Sequence, residues 1–343
     1  MERGRISSVT PIPLGDLIGS GVLVLGLCFL LGMPGNIMVV VVILRNFKKD
    51  NFTLQLMLNL AVSDIVCLLP LPAFMHALLN GWTLGTALCK VLSFLIYTSL
   101  YTGLLTVTLM SVQRYLAVLY PHHWAKLGRR GERVLLFSLW VLASVLSSAA
   151  VVTNGVVEEG GKLKCWRISM SDGRRAAVVL CETLLGFVVP FSILVTSYCC
   201  LHKKVNQTAF FSSQRLTRLV TLIVVTFFVL WIPVHILNLM DIFAILIRSA
   251  KPAIYEQLSG LRRSSEEVVK SLTFINSSVN PFLYAFASQS LRQNLERPER
   301  NPGTQIAVGG CIWSQSRDSI THSASVGCHN RVHYASSVVT GGK

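Results

Sequence analysis

Seven long apolar runs, over about 16–44, 53–79, 87–119, 133–153, 176–201, 216–247 and 268–286, dominate this chain of 343 residues and leave it little choice of fold. About 20 apolar residues, rising 1.5 Å each as an α-helix, cross the hydrocarbon core of a bilayer. No water is available there to the backbone, so open sheets are excluded and spans satisfy their own amides as helices. The expectation is an all-α membrane protein, a seven-transmembrane helix bundle over 16–286. The last run is the weakest, since it carries Lys270, Asn276 and Asn280.

Composition agrees. Apolar residues make up 52% and charged residues only 14%, where a soluble domain averages about a quarter charged. The first run is too long for a cleavable signal and reads as a span that stays. Residues 1–15 are then an extracellular N-terminus. Residues 287–296 form a short amphipathic stretch suited to lying flat on the membrane. The Gly/Ser/Thr-rich remainder, 297–343, reads as a disordered cytoplasmic tail.

The formal charge of +15 invites a nucleic-acid reading, which the distribution excludes. The basic residues stand in short loops between apolar runs, not on one folded face. Lys and Arg beside spans resist translocation and favour the anionic inner leaflet. The set Arg45, Lys48, Lys49, Lys126, Arg129, Arg130, Arg133, Lys203, Lys204, Arg215 and Arg218 hugs its spans and is read as cytoplasmic. The opposite set, including Lys162, Lys164, Arg167, Arg174, Arg175, Arg248, Lys251, Arg262 and Arg263, makes a basic outer mouth that would attract an anion.

Ionisable groups inside spans are costly and point to function. Asp64, Arg114, Glu182 and His235 are such groups, and Pro190 and Pro233 should kink their helices. No Gly-x-Ser-x-Gly or His-Glu-x-x-His pattern supplies a hydrolase site, and the prolines do not repeat as an inverted-repeat transporter would require. The chain is not read as an enzyme.

Several residues together carry a resemblance. Asn36, the Leu60/Asp64 segment, Arg114-Tyr115, Trp140, Pro190, the Phe227…Trp231-Ile232-Pro233 run and Asn280-Pro281-Phe282-Leu283-Tyr284 fall one set per helix, in order across 16–295. They resemble the marks of rhodopsin-like (class A) G-protein-coupled receptors. The resemblance implies a multi-pass plasma-membrane receptor and a disulfide between Cys89 and Cys165. It implies a switch in which Arg114, Tyr198 and Tyr284 meet as the sixth helix pivots about Pro233 and admits the G protein's C-terminal helix. Gln113 stands where most of the family keeps an aspartate; either basal activity rises, or Gln113 holds the guanidinium by hydrogen bonding. No cofactor is implied, but Asp64, Asn276, Ser277 and Asn280 resemble an allosteric sodium pocket. Gly103 stands where a serine usually contributes, and a solvated polar network around Asp64 is the alternative.

No acid occurs in 92–100 to pair with an amine ligand, and Thr273 and Phe274 occupy positions where an opsin would need its lysine. Ser99-Leu100-Tyr101, Glu182-Thr183-Leu184 with Phe187, Pro190-Phe191, and Trp231 to Leu239 resemble the leukotriene B4 receptors. Gln113-Arg114 and Glu182-Thr183-Leu184 are nearer the second, lower-affinity subtype. This likeness implies an anionic lipid ligand, leukotriene B4 or a related hydroxy fatty acid, with a peptide or another oxylipin as the alternative. It places Tyr101, Glu182, Trp231, His235 and Asn238 at the ligand, with Leu104, Phe187, Phe191 and Leu237 as apolar wall. Arg175 would receive the carboxylate, with Arg262 or Arg263 as a further partner, because Asn154, Glu266 and Ser93 replace basic residues of those receptors. Singly, Glu182 could bond Tyr101 and His235 could be a satisfied core histidine. Signalling through Gi-type G proteins, membrane lipid contacts, and arrestin and receptor-kinase capture by Ser314, Ser316, Ser319, Thr321, Ser323 and Ser325 complete the expectation. The sequons at Asn51, Asn206 and Asn276 fall on the cytoplasmic side or in the membrane and should stay unglycosylated.

Overall fold

The computed structural model describes residues 14–45, 51–168, 170–205, 214–295, 307–308 and 311–312. Its elements run α1 (Leu14–Arg45), α2 (Phe52–Leu68), α3 (Leu71–Asn80), α4 (Gly85–Leu119), α5 (Pro121–Thr153), β1 (Asn154–Glu159) and β2 (Lys162–Arg167). They continue as α6 (Asp172–Thr183), a π-helical turn (Leu184–Val188), α7 (Val189–Val205), α8 (Gln214–Ile247), α9 (Pro252–Leu295), β3 (Ala307–Val308) and β4 (Cys311–Ile312). Six helical segments, including α2 with α3 and α6 with α7, are long and apolar enough to cross a membrane. The seventh, within α9, is not among them, in keeping with its lysine and asparagines.

Each departure from a plain helix has a local cause. Pro70 has no N–H to donate, so the second span breaks into α2 and α3 there, with Pro70 heading the new helix. In the fifth span Pro190 cannot donate to the carbonyl of Gly186. The preceding turn widens, and the Val189 N–H reaches Leu184 O. Gly128 takes φ 60° and ψ 175°, a conformation that favours glycine, and separates a short leading segment from the rest of α5. Asn51 caps α2, its Oδ1 accepting from the Thr53 N–H at 3.0 Å.

The final span differs from expectation. The helix holding 268–286 begins sixteen residues earlier, at Pro252, so Arg262, Arg263 and Glu266 stand on its outer turns rather than in a loop. Helical backbone continues through 287–295, the stretch read as a surface helix, whose side chains are outside the described residues. Most of the tail, with its serine and threonine cluster, also lies outside them.

Buried apolar residues form two clusters. The larger joins Phe52, Leu56 and Leu60 of α2, Leu104, Val107 and Met110 of α4, Leu194 of α7, Ile223 and Phe227 of α8 and Leu283 of α9. Leu104 therefore packs in this core rather than forming a ligand wall. The smaller cluster joins Leu25 and Cys28 to Leu68 and Leu71. Large apolar side chains such as Phe137, Val145, Leu30 and Leu246 point outward. Such a surface is unstable in water and natural against lipid.

Polar ties set the helices in register. Asn36 Nδ2 donates to Gly32 O at 2.9 Å and across to Ser277 O at 3.0 Å, fastening α1 to α9. The Trp140 indole donates to Asn59 Oδ1 at 2.8 Å, and Asn59 Nδ2 donates to Thr106 Oγ1 at 2.7 Å, which binds α5, α2 and α4 together.

Candidate functional site

An antiparallel hairpin covers one end of the bundle. β1 and β2 pair from Asn154↔Arg167 to Glu159↔Lys162, and Gly160 and Gly161 turn the chain at φ 60° and 72°. Positive φ at both central residues suits the two-residue turn that matches strand twist. Three ties hold the hairpin. Cys165 is disulfide-bonded to Cys89 in the first turns of α4. The Trp82 N–H donates to Leu163 O at 2.7 Å, and Lys162 Nζ donates to Leu79 O at 3.1 Å. The disulfide that the sequence resemblance implied is present, and such bonds belong to the oxidising, extracellular side.

The disulfide fixes Trp166 and Arg167 over the bundle. Arg167 Nη2 donates to Glu182 Oε1 of α6 at 2.5 Å and to the Tyr97 hydroxyl of α4 at 3.4 Å. Burial opposes the charge on Arg167, but Tyr97 and Glu182 outweigh it and hold its pKa above the ordinary arginine value. Arg175, also on α6, makes a two-pronged pair with Asp241 of α8: Nε to Oδ2 at 2.7 Å and Nη2 to Oδ1 at 2.5 Å. Arg262 of α9 approaches Asp241 Oδ1 at 3.4 Å and Glu266 at 3.1 Å. Lys270 meets Glu266 at 2.8 Å and lies 3.5 Å above the Trp166 ring. Burial pushes the Glu266 carboxyl up, yet Lys270 and Arg262 overcome it and the group stays below the ordinary glutamate range. Charged pairs thus tie β2 to α6 and α6 to α8 and α9, and Lys270 closes the circuit back onto β2 through the Trp166 ring.

Beneath this rim lies an aromatic column. Phe187 stacks on Phe191 at 5.5 Å and lies 4.6 Å from the His235 ring. His235 stacks on Trp231 at 5.9 Å, and Trp231 on Phe227 at 5.3 Å. Tyr101 closes in from α4: a Cβ placed on Gly186 would lie 3.7 Å from His235 Cε1 and 3.8 Å from Tyr101 Cε1. Asn238 Nδ2 donates weakly to Thr183 Oγ1 at 3.4 Å. His235 is only 4% exposed, and neither ring nitrogen has a partner among the described residues; the Trp231 indole nitrogen is also without one. Tyr101, Glu182, Trp231, His235 and Asn238 are thus gathered between α4, α6 and α8. Arg175 is at the rim with its fork occupied by Asp241. Two residues of the rim, Arg167 and Asp241, carry more of it than the sequence reading assigned them.

Deeper in the bundle Asp64 is buried, and its Oδ2 accepts from Asn280 Nδ2 at 2.7 Å. Ser277 neighbours it. The carbonyl oxygen of Asn276 is buried without a partner among the described residues. A buried carboxylate beside a hydroxyl, with the Asn276 amide oxygen on the same turn as that hydroxyl, offers hard oxygen donors of the kind that small cations take. No cluster of three His, Cys, Asp or Glu that would hold a transition metal occurs among the described residues.

At the cytoplasmic end Arg114 is buried, and its Nη2 donates to Thr53 Oγ1 at 2.7 Å. The Thr53 hydroxyl in turn donates to Gln113 Oε1 at 3.4 Å. Gln113 therefore reaches this cluster through Thr53. The Tyr284 hydroxyl is buried without a partner among the described residues. Tyr198 is on α7, but its side chain is outside them.

Comparison with known proteins follows the same lines. Residues 35–284 match the family described as 7 transmembrane receptor (rhodopsin family). Leukotriene B4 receptor 1 from Homo sapiens is 35% identical over 296 residues, covering 83% of this chain and 82% of that protein. The C5a anaphylatoxin chemotactic receptor 1 from Danio rerio is 31% identical, covering 79% and 78%. The C3a anaphylatoxin chemotactic receptor from the same species is 29% identical, covering 82% and 78%.

Proposed function

The chain belongs to the rhodopsin family of seven-transmembrane receptors, and from that premise we propose that it receives an anionic lipid mediator, leukotriene B4 or a related hydroxy fatty acid, and signals through Gi-type G proteins. As a member of this family it is a multi-pass plasma-membrane receptor with a G-protein partner and not an enzyme.

His235 carries the ligand reading. Its ring is clamped between Phe187 and Trp231, its flank faces Tyr101, and both of its nitrogens are buried without partners among the described residues. A buried, unpaired polar group costs about 1–3 kcal/mol. A ligand that presents hydroxyls along an apolar chain relieves that cost while filling the aromatic column. A hydroxy fatty acid does both, and its carboxylate is then directed to the charged rim. Similarity to leukotriene B4 receptor 1 supports the same class.

In the proposed mechanism the ligand bridges α4, α6 and α8 at the column. Trp231 lies two residues before Pro233, so movement of the column reaches the point where α8 is able to pivot. Opening at the cytoplasmic end admits the G protein's C-terminal helix, a helix-in-groove contact. Arrestin and receptor kinases would act on the Ser/Thr tail.

Gi activation in cells expressing the chain, titrated with leukotriene B4, other hydroxy fatty acids and the unhydroxylated parent acid, tests the reading. The expected result is a response to hydroxylated acids that His235→Phe weakens at least tenfold. Silence toward every lipid at normal surface expression overturns it. A response to the C3a or C5a anaphylatoxin would then support the alternative chemoattractant-receptor reading that those relatives favour.

A further inference from the structure

The circuit of charges over the column does not balance. It contains four cations, Arg167, Arg175, Arg262 and Lys270, and three anions, Glu182, Asp241 and Glu266, so one positive charge is in excess. Geometry says where the excess lies. Arg175 spends two nitrogens on the two oxygens of Asp241. Arg262 divides itself between Asp241 and Glu266. Lys270 has Glu266 and the face of Trp166. Arg167 directs both of its hydrogen bonds through a single nitrogen, Nη2, toward Glu182 and Tyr97, and reaches Glu266 only as a more distant charge, behind Lys270 and Arg262. Its Nε and Nη1 have no acceptor among the described residues, and its side chain keeps 22% of its surface exposed.

We propose that Arg167, not Arg175, receives the carboxylate of the ligand, on the Nε/Nη1 edge that Glu182 leaves open. A guanidinium has five donors in a rigid fork and is able to serve two carboxylates on different edges. The site matches a monoanion: one carboxylate neutralises the circuit, whereas a second would repel Glu182. Arg167 is also the best-positioned cation of the four. It stands two residues beyond Cys165 on a paired strand, so the disulfide and the β1 ladder fix its backbone before any ligand arrives. Arg175 would have to surrender a buried aspartate, and Asp241, left with Arg262 alone, would lose its closer partner. Glu182 acts here as a positioning residue, holding the fork through Nη2 alone.

This inference rests on the lipid-ligand reading, and one experiment separates the two. The full chain, expressed in cells, is titrated with leukotriene B4 and with its methyl ester, which differ in the charge at one end. The expected result is an acid-over-ester preference of about tenfold or more in the unaltered chain. Arg167→Gln abolishes that preference by weakening the acid alone, while Arg175→Gln weakens both probes alike. Arg167→Lys, which keeps the charge but not the fork, retains part of the preference and serves if Arg167→Gln does not reach the cell surface. A preference that survives either Arg167 substitution intact, or that disappears in Arg175→Gln instead, overturns the inference and leaves the lipid reading standing. Equal response of the unaltered chain to acid and ester does the same. Silence of the unaltered chain to both probes overturns the lipid reading and this inference with it.

Discussion

Arg114 donates to the hydroxyl of Thr53 at 2.7 Å, so the arginine at the cytoplasmic end of α4 is held by a neutral side chain of α2. The same hydroxyl donates onward to Gln113 at 3.4 Å, and Asn51 fixes the turn that presents Thr53. The order Arg114 to Thr53 to Gln113 makes Thr53 the hinge point of the cluster.

Removing that hydroxyl should therefore weaken the hold of α2 on Arg114. A hydrogen bond to a charged group contributes about 1.5–3 kcal/mol, enough to shift a two-state equilibrium about tenfold or more in its favour. Thr53→Val is expected to raise ligand-independent signalling by up to about tenfold, and Gln113→Asp, which brings a full negative charge beside Arg114, to lower it. Nucleotide exchange on Gi measured without ligand, at matched surface expression, checks both. A pair of variants with unaltered basal exchange would mean that the cluster does not bias the resting state.

The column should be sensitive to volume at Gly186. A Cβ there sits at 3.7–3.8 Å from His235 and Tyr101, an ordinary contact distance, so Gly186→Ala is expected to fold and to keep most ligand response. Gly186→Leu would push its branched end between the two rings. We expect it to lose response by about a hundredfold while reaching the surface normally, as a ligand titration beside a surface-epitope assay would reveal. If Gly186→Leu signals normally, the ligand does not lie between Tyr101 and His235.

A stability prediction concerns the seam between α1 and α9. A Cβ on Gly32 would come within 2.6 Å of Ser278 Oγ and 3.0 Å of Ser278 Cα, and one on Gly35 within 2.9 Å of two atoms of the Pro281 ring. Backbone and a proline ring cannot step aside as a flexible side chain does. Gly32→Ala and Gly35→Ala should each cost about 1–3 kcal/mol, the usual penalty of overpacking. A lowered melting temperature of the detergent-solubilised chain is the readout, with Gly26→Ala, whose Cβ would meet only Met75 Sδ at 3.7 Å, as the mild comparison.

How far this was legible in the sequence depends on the element. The spans and the Asp64, Arg114, Trp140 and Pro233 positions declare themselves, because burial in lipid requires long apolar runs and makes each polar exception conspicuous. The β1–β2 hairpin was not foreseen, although Gly160-Gly161 between two short runs is a two-residue turn signal. It went unread because the strands are short and only weakly alternating. In the sequence Arg167 is one of nine basic residues of an outer mouth, since nothing local says that the disulfide will hold it over the bundle. Asp241 went unremarked at the outer end of an apolar run, so Arg175 looked free when its fork was in fact occupied. Both oversights concern partners far apart in sequence, which composition and spacing cannot pair.

Sodium is expected to act through Asp64, and Gly103→Ser to strengthen its effect. A Cβ on Gly103 would meet Leu60 Cδ1 at 3.6 Å and Ser63 Oγ at 3.7 Å, so a serine fits without displacing its neighbours. Gly103→Ser would return a hydroxyl oxygen to the position where the resembling receptors carry one, adding a hard ligand to Asp64 and the amide oxygen of Asn276. A cation held in the resting state opposes the agonist-bound state, because a ligand that prefers one state shifts the equilibrium toward it. Agonist affinity measured over increasing sodium, with a large organic cation holding ionic strength constant, should fall modestly in the unaltered chain. The fall should be several-fold steeper in Gly103→Ser and absent in Asp64→Asn. A sodium effect that persists in Asp64→Asn would place the ion elsewhere. No effect in Gly103→Ser would mean that the Asp64 cluster is a hydrogen-bonded network and nothing more.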